Sequence, residues 1–192
     1  LEAGKHVVCE KPLANDLAEA QRITAAARKA GTRTLTAFNY RRVPAVALAK
    51  QMIDDGLIGE IYHWRAVYLQ DWIMDPEFPL VWRLQKEVAG SGPHGDLNAH
   101  ITDLARYLVG EISEVSGVKK TFIEERPLEE GSPDGGLGAT GSSEKGKVTV
   151  EDALLFLAKF ESGALGSFEA TRFAAGRRNF NSFELNGSKG SL

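Results

Sequence analysis

The sequence predicts an α/β unit followed by an α+β domain, on three observations. An apolar run, an amphipathic segment and a second extended run succeed one another within residues 5–38. Beyond residue 56 the pattern changes to alternating segments with β-branched and aromatic residues, as half-buried strands require. A single amphipathic helix, near residues 96–109, is inserted among them. A terminal βαβ piece of a parallel sheet followed by an open, mixed, mostly antiparallel sheet with helices on one face fits that order.

The elements follow in turn. Lys5–Glu10 carries His-Val-Val-Cys and reads as a buried strand. Asp16, with Glu19 three residues later, is a capping-box variant, so a helix is expected over Leu17–Ala30 with Gly31 as its stop. Arg33–Phe38 is the next strand, and the crossover joining it to the first should be right-handed. Pro44 opens a helix over Val43–Asp55, ended by Gly56. Glu60–Gln70 alternates as a strand. A Pro-rich loop over Asp75–Pro79 and a turn over Gly90–Gly95 then lead into the Asp96–Val109 helix. Further strands are expected at Val115–Ile123, Asp152–Phe160, Ala164–Arg172 and Asn181–Asn186, with Gly163 at a hairpin turn. Glu125–Lys147, rich in Gly, Ser, Pro and Glu, reads as a mobile surface loop.

Composition narrows the function. The 192 residues suffice for a real core, and 23 basic against 26 acidic residues leave a net charge of −3. No basic stripe marks a nucleic-acid surface, and no apolar run is long enough to span a bilayer. The single cysteine, Cys9, excludes an internal disulfide and fits a reducing, cytoplasmic setting; within its apolar strand it reads as a buried, inert thiol. Leu1-Glu2-Ala3-Gly4 reads as mid-chain sequence, which implies residues upstream and leaves an export signal open.

Several motifs fail on context. Gly90, Gly92 and Gly95 match G-x-G-x-x-G, but the preceding Arg83–Glu87 is too polar for the buried strand a dinucleotide turn needs, and Pro93 removes a donor. Gly136, Gly138 and Gly141 lead into Ser-Ser-Glu-Lys, not a helix. Gly141–Lys147 resembles a P-loop, but Val148 stands where a hydroxyl should hold magnesium. No metal site is expected: the four histidines lack partners at ligand spacing, and Asp96 with His100 offers only two ligands.

Two clusters carry chemistry. Asp96 and His100 lie one turn apart, with Asp103 a turn further on, so all three project within about 60° of one another on an ideal helix. A carboxylate beside an imidazole can orient and move a proton; the alternative is a solvated i,i+4 ion pair. Upstream, Val7-Val8-Cys9 ends in Glu10-Lys11-Pro12 at the carboxyl edge of a parallel sheet, where open α/β sheets take their ligands. Proline restricts the residue before it, so Lys11 is held in place and can donate to a reacting oxygen; the alternative is a surface loop lysine.

These residues resemble the glucose–fructose oxidoreductase/inositol dehydrogenase/MocA (Gfo/Idh/MocA) family of NAD(P)-dependent oxidoreductases. The resemblance rests on Gly4–Pro12, Phe38–Ala45, Ile58–Ile61, Ser91-Gly92 running into Gly95–Asp103, and Asn186–Leu192, in the family's order over nearly the whole chain. It implies that residues 1–40 are the C-terminal remnant of a dinucleotide-binding Rossmann domain, with the glycine fingerprint upstream. Residues 41–192 would be a substrate-binding and dimerisation domain lacking its last elements. The implied reaction moves a hydride between a secondary alcohol of a sugar or polyol and NAD or NADP. Lys11 would then hydrogen-bond the reacting oxygen, and His100 would take or return the proton. Asp96 would hold substrate hydroxyls, while Glu10 and Pro12 flank the nicotinamide ribose across a cis Lys11–Pro12 peptide. Arg41 would reach the cofactor or substrate side, with Trp82 and Arg83 lining the sugar pocket or, equally, anchoring a packed loop. His94 is open in the same way, and Asp103 is a supporting or helix-surface group. The resemblance further implies a homodimer or homotetramer through the open sheet face and weak cofactor binding by these 192 residues alone. Two other readings stay open: an NAD-dependent glycoside hydrolase of the same fold, and a non-catalytic cofactor- or sugar-binding protein.

Overall fold

The structure is a computed structural model that describes residues 1–130 and 138–192. The described chain forms two compact units, Leu1–Asn39 and Tyr40–Leu192.

The first unit is a βαβ element: β1 (Val7–Cys9), α1 (Leu17–Ala30) and β2 (Thr34–Thr36), with β1 and β2 parallel. Asp16 caps α1 by accepting the Glu19 N–H at 2.8 Å, and Gly31 ends it in the left-handed region at φ 64°. Both follow from the sequence. The strands are shorter than the sequence suggests, and they are not buried: Val8 and Leu35 are exposed, and Cys9 is only half-buried. One helix on a two-stranded sheet covers one face, so alternate residues stay open. His6 Nδ1 accepts the Arg33 N–H at 3.1 Å, a structural use of that imidazole.

The second unit is built on a five-stranded sheet ordered β4 (Ile112–Lys120), β7 (Ala153–Phe160), β8 (Leu165–Thr171), β3 (Ile61–Leu69), β9 (Phe180–Gly187). Only β3 and β8 run parallel; the other neighbours are antiparallel. The sheet is open and mixed, as its alternating sequence predicts. The short helix α3 (Lys86–Ala89) lies between α2 (Pro44–Asp54) and α4 (Ala99–Leu108) in sequence, and α2 and α4 pack on one face through Val46, Ala49, Ile101, Leu104 and Leu108. Trp64, Ala66 and Tyr68 of β3 meet Gly166, Phe168 and Ala170 of β8 there, so large side chains oppose small ones. A Cβ on Gly166 would lie 2.8 Å from the Phe168 ring and 3.0 Å from that of Phe160, which explains the glycine. Gly163, at φ 92°, turns β7 into β8 as expected.

The Glu125–Lys147 expectation needs correcting. Its ends are two paired strands, β5 (Glu125–Glu130) and β6 (Thr140–Lys147), and the rest of the stretch lies outside the described residues. Polar composition concealed the hairpin because most of its side chains face water and backbone pairing does the work. Beside it Ile73, Leu80, Val81, Leu84, Val148 and Val150 form a second core. Gly136 of the second glycine pattern is likewise outside the described residues. Gly138 and Gly141 run into and lie on β6.

Candidate active site

The helix bearing Asp96 and His100 does not begin as an ordinary α-helix. His94–Asn98 forms a π-helical turn, closed by the Ala99 N–H donating to the His94 carbonyl, and α4 follows from Ala99. Such widened turns occur frequently at functional sites. This corrects the uniform helix expected over Asp96–Val109: five residues share the first turn, so the phase of Asp96 against Asp103 departs from the ideal projection. The two carboxylates accordingly take different arginines. Arg172 Nη2 donates to Asp96 Oδ2 at 2.8 Å. Arg41 grips Asp103 with Nε at 2.7 Å and Nη2 at 2.5 Å, and that pairing raises the Arg41 pKa above its ordinary value. Asp103 is therefore buried and bound, not a surface group.

The glycines ahead of this turn serve packing. A Cβ on Gly92 would fall 1.9 Å from the Glu151 carbonyl oxygen, and one on Gly95 would fall on Ser91 Oγ. Glu151 Oε1 accepts the His94 N–H at 3.0 Å. His94 itself lines a groove of about 490 Å³ with Thr102, Val115, Gly117 and Phe156, a cavity that includes neither Asp96 nor His100.

His100 is buried in a tyrosine wall. Its ring meets Tyr40 edge-on at 4.8 Å and Tyr68 at 5.9 Å, and the two tyrosine hydroxyls lie 2.8 Å apart. Burial, then the hydrogen bond to Tyr40, push the Tyr68 phenol up, so it stays neutral and protonated. Asp96 keeps a side-chain exposure of 39% while its partner Arg172 is at 1%, which puts an accessible carboxylate on a buried cation.

Trp82 and Arg83 lie on the loop after β3. Trp82 is partly exposed under the Arg83 guanidinium, 4.2 Å from ring centroid to Cζ, and the Arg83 carbonyl accepts from Arg172 Nη1 at 3.5 Å. The loop is tied down from the hairpin side. Arg126, fully buried on β5, donates to the carbonyls of Ile73 at 2.5 Å, Asp75 at 2.8 Å and Phe78 at 3.2 Å.

Glu10, Lys11 and Pro12 stand in the first unit, directly after β1, and the Lys11–Pro12 peptide is cis. Among the described residues no group of three or more His, Cys, Asp or Glu side chains can hold a metal, and no helix is long and apolar enough to cross a membrane.

Sequence reasoning overlooked Arg172, Tyr40, Tyr68, Arg126 and Asp152. The signal was available for three of them. Tyr68 continues the core-facing register of Trp64 and Ala66, Arg172 that of Phe168 and Ala170, and a polar group on a core register demands a partner. Tyr40 stood inside a quoted motif without a role. Arg126 left no signal, because burial in its region depends on the hairpin, and Asp152 opened an expected strand without a role.

The chain resembles known proteins along its whole length. Residues 46–192 match the family model of the GFO/IDH/MocA C-terminal domain, and residues 1–38 match that of an oxidoreductase family with an NAD-binding Rossmann fold. Levoglucosan dehydrogenase of Pseudarthrobacter phenanthrenivorans is 50% identical over 192 residues, which are 100% of this chain and 49% of that protein. The crystal structure of an oxidoreductase domain protein from Kribbella flavida superposes with a TM-score of 0.91 at 59% identity, covering 100% of this chain and 50% of that one. Levoglucosan dehydrogenase in complex with NADH and levoglucosan superposes with a TM-score of 0.89 at 48% identity, covering 99% and 47%. The chain thus spans about half the length of the curated relatives it matches. With a single C-terminal model covering most of its length and the tail of a cofactor domain ahead of it, the chain belongs to the GFO/IDH/MocA family of oxidoreductases.

Proposed function

We propose that the full-length protein is a cytoplasmic dehydrogenase that moves a hydride between a secondary alcohol of a sugar or polyol and NAD. Residues 1–40 would complete its cofactor domain, and residues 41–192 would hold the substrate. The observation that carries this reading is the accessible Asp96 carboxylate on a buried arginine, one turn from a tyrosine-walled imidazole. Similarity to levoglucosan dehydrogenase supports an anhydrosugar or related ring alcohol as the substrate.

The residues present suit the cofactor. Glu10-Lys11-Pro12 leaves the carboxyl end of a parallel strand, and its side chains offer one ammonium donor and one carboxylate acceptor for a nicotinamide riboside. When bound, the nicotinamide accepts or supplies the hydride. Lys11 donates a hydrogen bond to the reacting oxygen and stabilises developing alkoxide charge. His100 takes the hydroxyl proton, or returns it in the reductive direction. Asp96 accepts from neighbouring hydroxyls and so fixes which carbinol faces the imidazole. Arg41, committed to Asp103, steadies α4 beneath His100 and keeps a partly exposed guanidinium for the cofactor or substrate side. Trp82 offers an aromatic plane to a sugar ring, and Arg83 offers donors to its hydroxyls.

The test uses the full-length protein with levoglucosan and NAD. Lys11→Met and His100→Ala should each lower turnover by about 10²–10⁴, the usual contribution of such groups. Losses below about tenfold in both would end the assignment of roles. Net NADH formation is the expected product signal; sugar release without it would indicate glycoside hydrolysis instead.

We also propose assembly through the open sheet face, where Val118, Leu157 and Leu165 expose 73%, 65% and 60% of their surface. Several exposed aliphatic side chains on one sheet face mark an interaction surface, and a second copy of this chain is the expected occupant.

A further inference from the structure

Arg172 is fully buried at the end of β8 and has three attachments. Nη2 donates to Asp96 Oδ2 at 2.8 Å, Nη1 to the Arg83 carbonyl at 3.5 Å, and the guanidinium plane lies 5.0 Å from the Trp72 ring centroid. Its backbone is fixed as well, since the Arg172 N–H donates to the Asp152 carbonyl at 3.1 Å. Trp72 is held in turn by its Nε1–H donating to Gln70 Oε1 at 2.8 Å. A guanidinium so placed cannot swing away, and its planar fork serves a carboxylate and a carbonyl together, which a lysine ammonium cannot do with the same geometry.

Resting on the reading of Asp96 and His100 as active-site groups, we propose that Arg172 is the positioning residue that aims the Asp96 carboxylate as an acceptor. His100 is then the one proton-carrying group of the pair. A guanidinium at hydrogen-bond distance favours the charged form of a carboxylate and fixes its direction. Asp96 is thereby held as an acceptor of substrate hydroxyl hydrogens. The same arginine joins Asp96 to the backbone at Arg83, so the acceptor and the Trp82–Arg83 loop are set by one side chain. Arg172, directly after β8, donates to Asp96, the neutral Tyr68 hydroxyl of β3 feels its charge, and His100 follows four residues later on the same helical segment. Behind Arg172 lie Asp152 and, beyond it, Arg126.

The experiment compares pH profiles of kcat/KM for levoglucosan oxidation by the full-length enzyme and its Arg172→Met, Arg172→Lys, Asp96→Asn and His100→Ala variants, with thermal melting of each. Removing a cation should move the acidic limb, set by His100, to higher pH, and removing a neighbouring anion should move it to lower pH. Arg172→Met is expected to lose about 10- to 100-fold in kcat/KM with the limb raised. Asp96→Asn should lower the limb, and Arg172→Lys should return it to the wild-type position. A folded Arg172→Met enzyme with the wild-type limb would reduce Arg172 to a structural anchor and overturn the proposal. Where Arg172→Met does not fold, Asp96→Asn decides: an unmoved limb means that Asp96 is not an ionised neighbour. Retention of turnover and limb by His100→Ala would instead overturn the reading of the active site, which separates the two failures.

Discussion

Arg126 and Asp152 are both fully removed from water, although Arg126 sits in a stretch whose sequence reads as polar loop and Asp152 opens an expected strand. Asp152 Oδ2 accepts the N–H groups of Phe122 at 2.6 Å and Ile123 at 3.2 Å, with the positive charges of Arg126 and Arg172 nearby. Burial outweighs those contacts and raises its pKa above the ordinary carboxylate value, while burial also pulls Arg126 below its usual value. The sign follows from linkage. A carboxyl that holds its proton more tightly folded than unfolded contributes stability that is full below the ordinary value of 3.8 and lost as pH rises through the raised one. Melting temperatures followed from acid towards neutrality should therefore contain a falling component that Asp152→Asn lacks. Identical pH dependence in both proteins would contradict it. Arg126→Met removes three carbonyl partners and leaves Asp152 with one fewer cation. It should cost ~3–5 kcal/mol in denaturant unfolding and raise the KM for sugar, because the Trp82 loop loses its brace. At this scale the sequence singled out Lys11, Asp96 and His100 as candidates, because their neighbours in the chain mark them. It concealed the partners of the arginines, which are distant in sequence: Asp96 for Arg172, and the carbonyls of Ile73, Asp75 and Phe78 for Arg126.

At the scale of elements, the capped helix α1 and the β7–β8 hairpin were legible because a cap or a positive-φ glycine lies next to what it terminates. The π-helical turn was not. Its cause is contact: Pro93 is buried, and Gly92 packs against the Glu151 backbone. Gly92→Ala should displace that turn, since a Cβ there would meet a backbone oxygen that has no rotamer to yield. A loss of ~3 kcal/mol or more is expected from so severe a clash, together with lower kcat, because Asp96 rides on the same turn. Gly166→Ala meets only ring edges and should cost less, ~1–3 kcal/mol by overpacking. Denaturant unfolding of the two variants orders them, and a reversed order would refute the packing account of the Gly90–Gly95 motif.

For the whole molecule, one face of the sheet carries the helices and the other carries Val118, Leu155, Leu157 and Leu165 in partly or well exposed positions. Leu157→Asp places a charge among them, next to Ser116 and Ser167 in the neighbouring strands. Light scattering of the full-length protein should then report a smaller assembly with the fold retained; an unchanged mass would show that this face is not the interface.

What the chain specified locally is what periodicity and short-range chemistry can encode: the βαβ unit, the alternating strands, the caps, and the two clusters around Lys11 and His100. Tertiary structure alone decided that Asp96 rests on Arg172, that Asp103 binds Arg41, that tyrosines enclose His100, and that a polar stretch pairs as a hairpin. The physical reason is range. Backbone preferences and helix faces act over a few residues, whereas burial and charge pairing depend on which distant segments the sheet brings together.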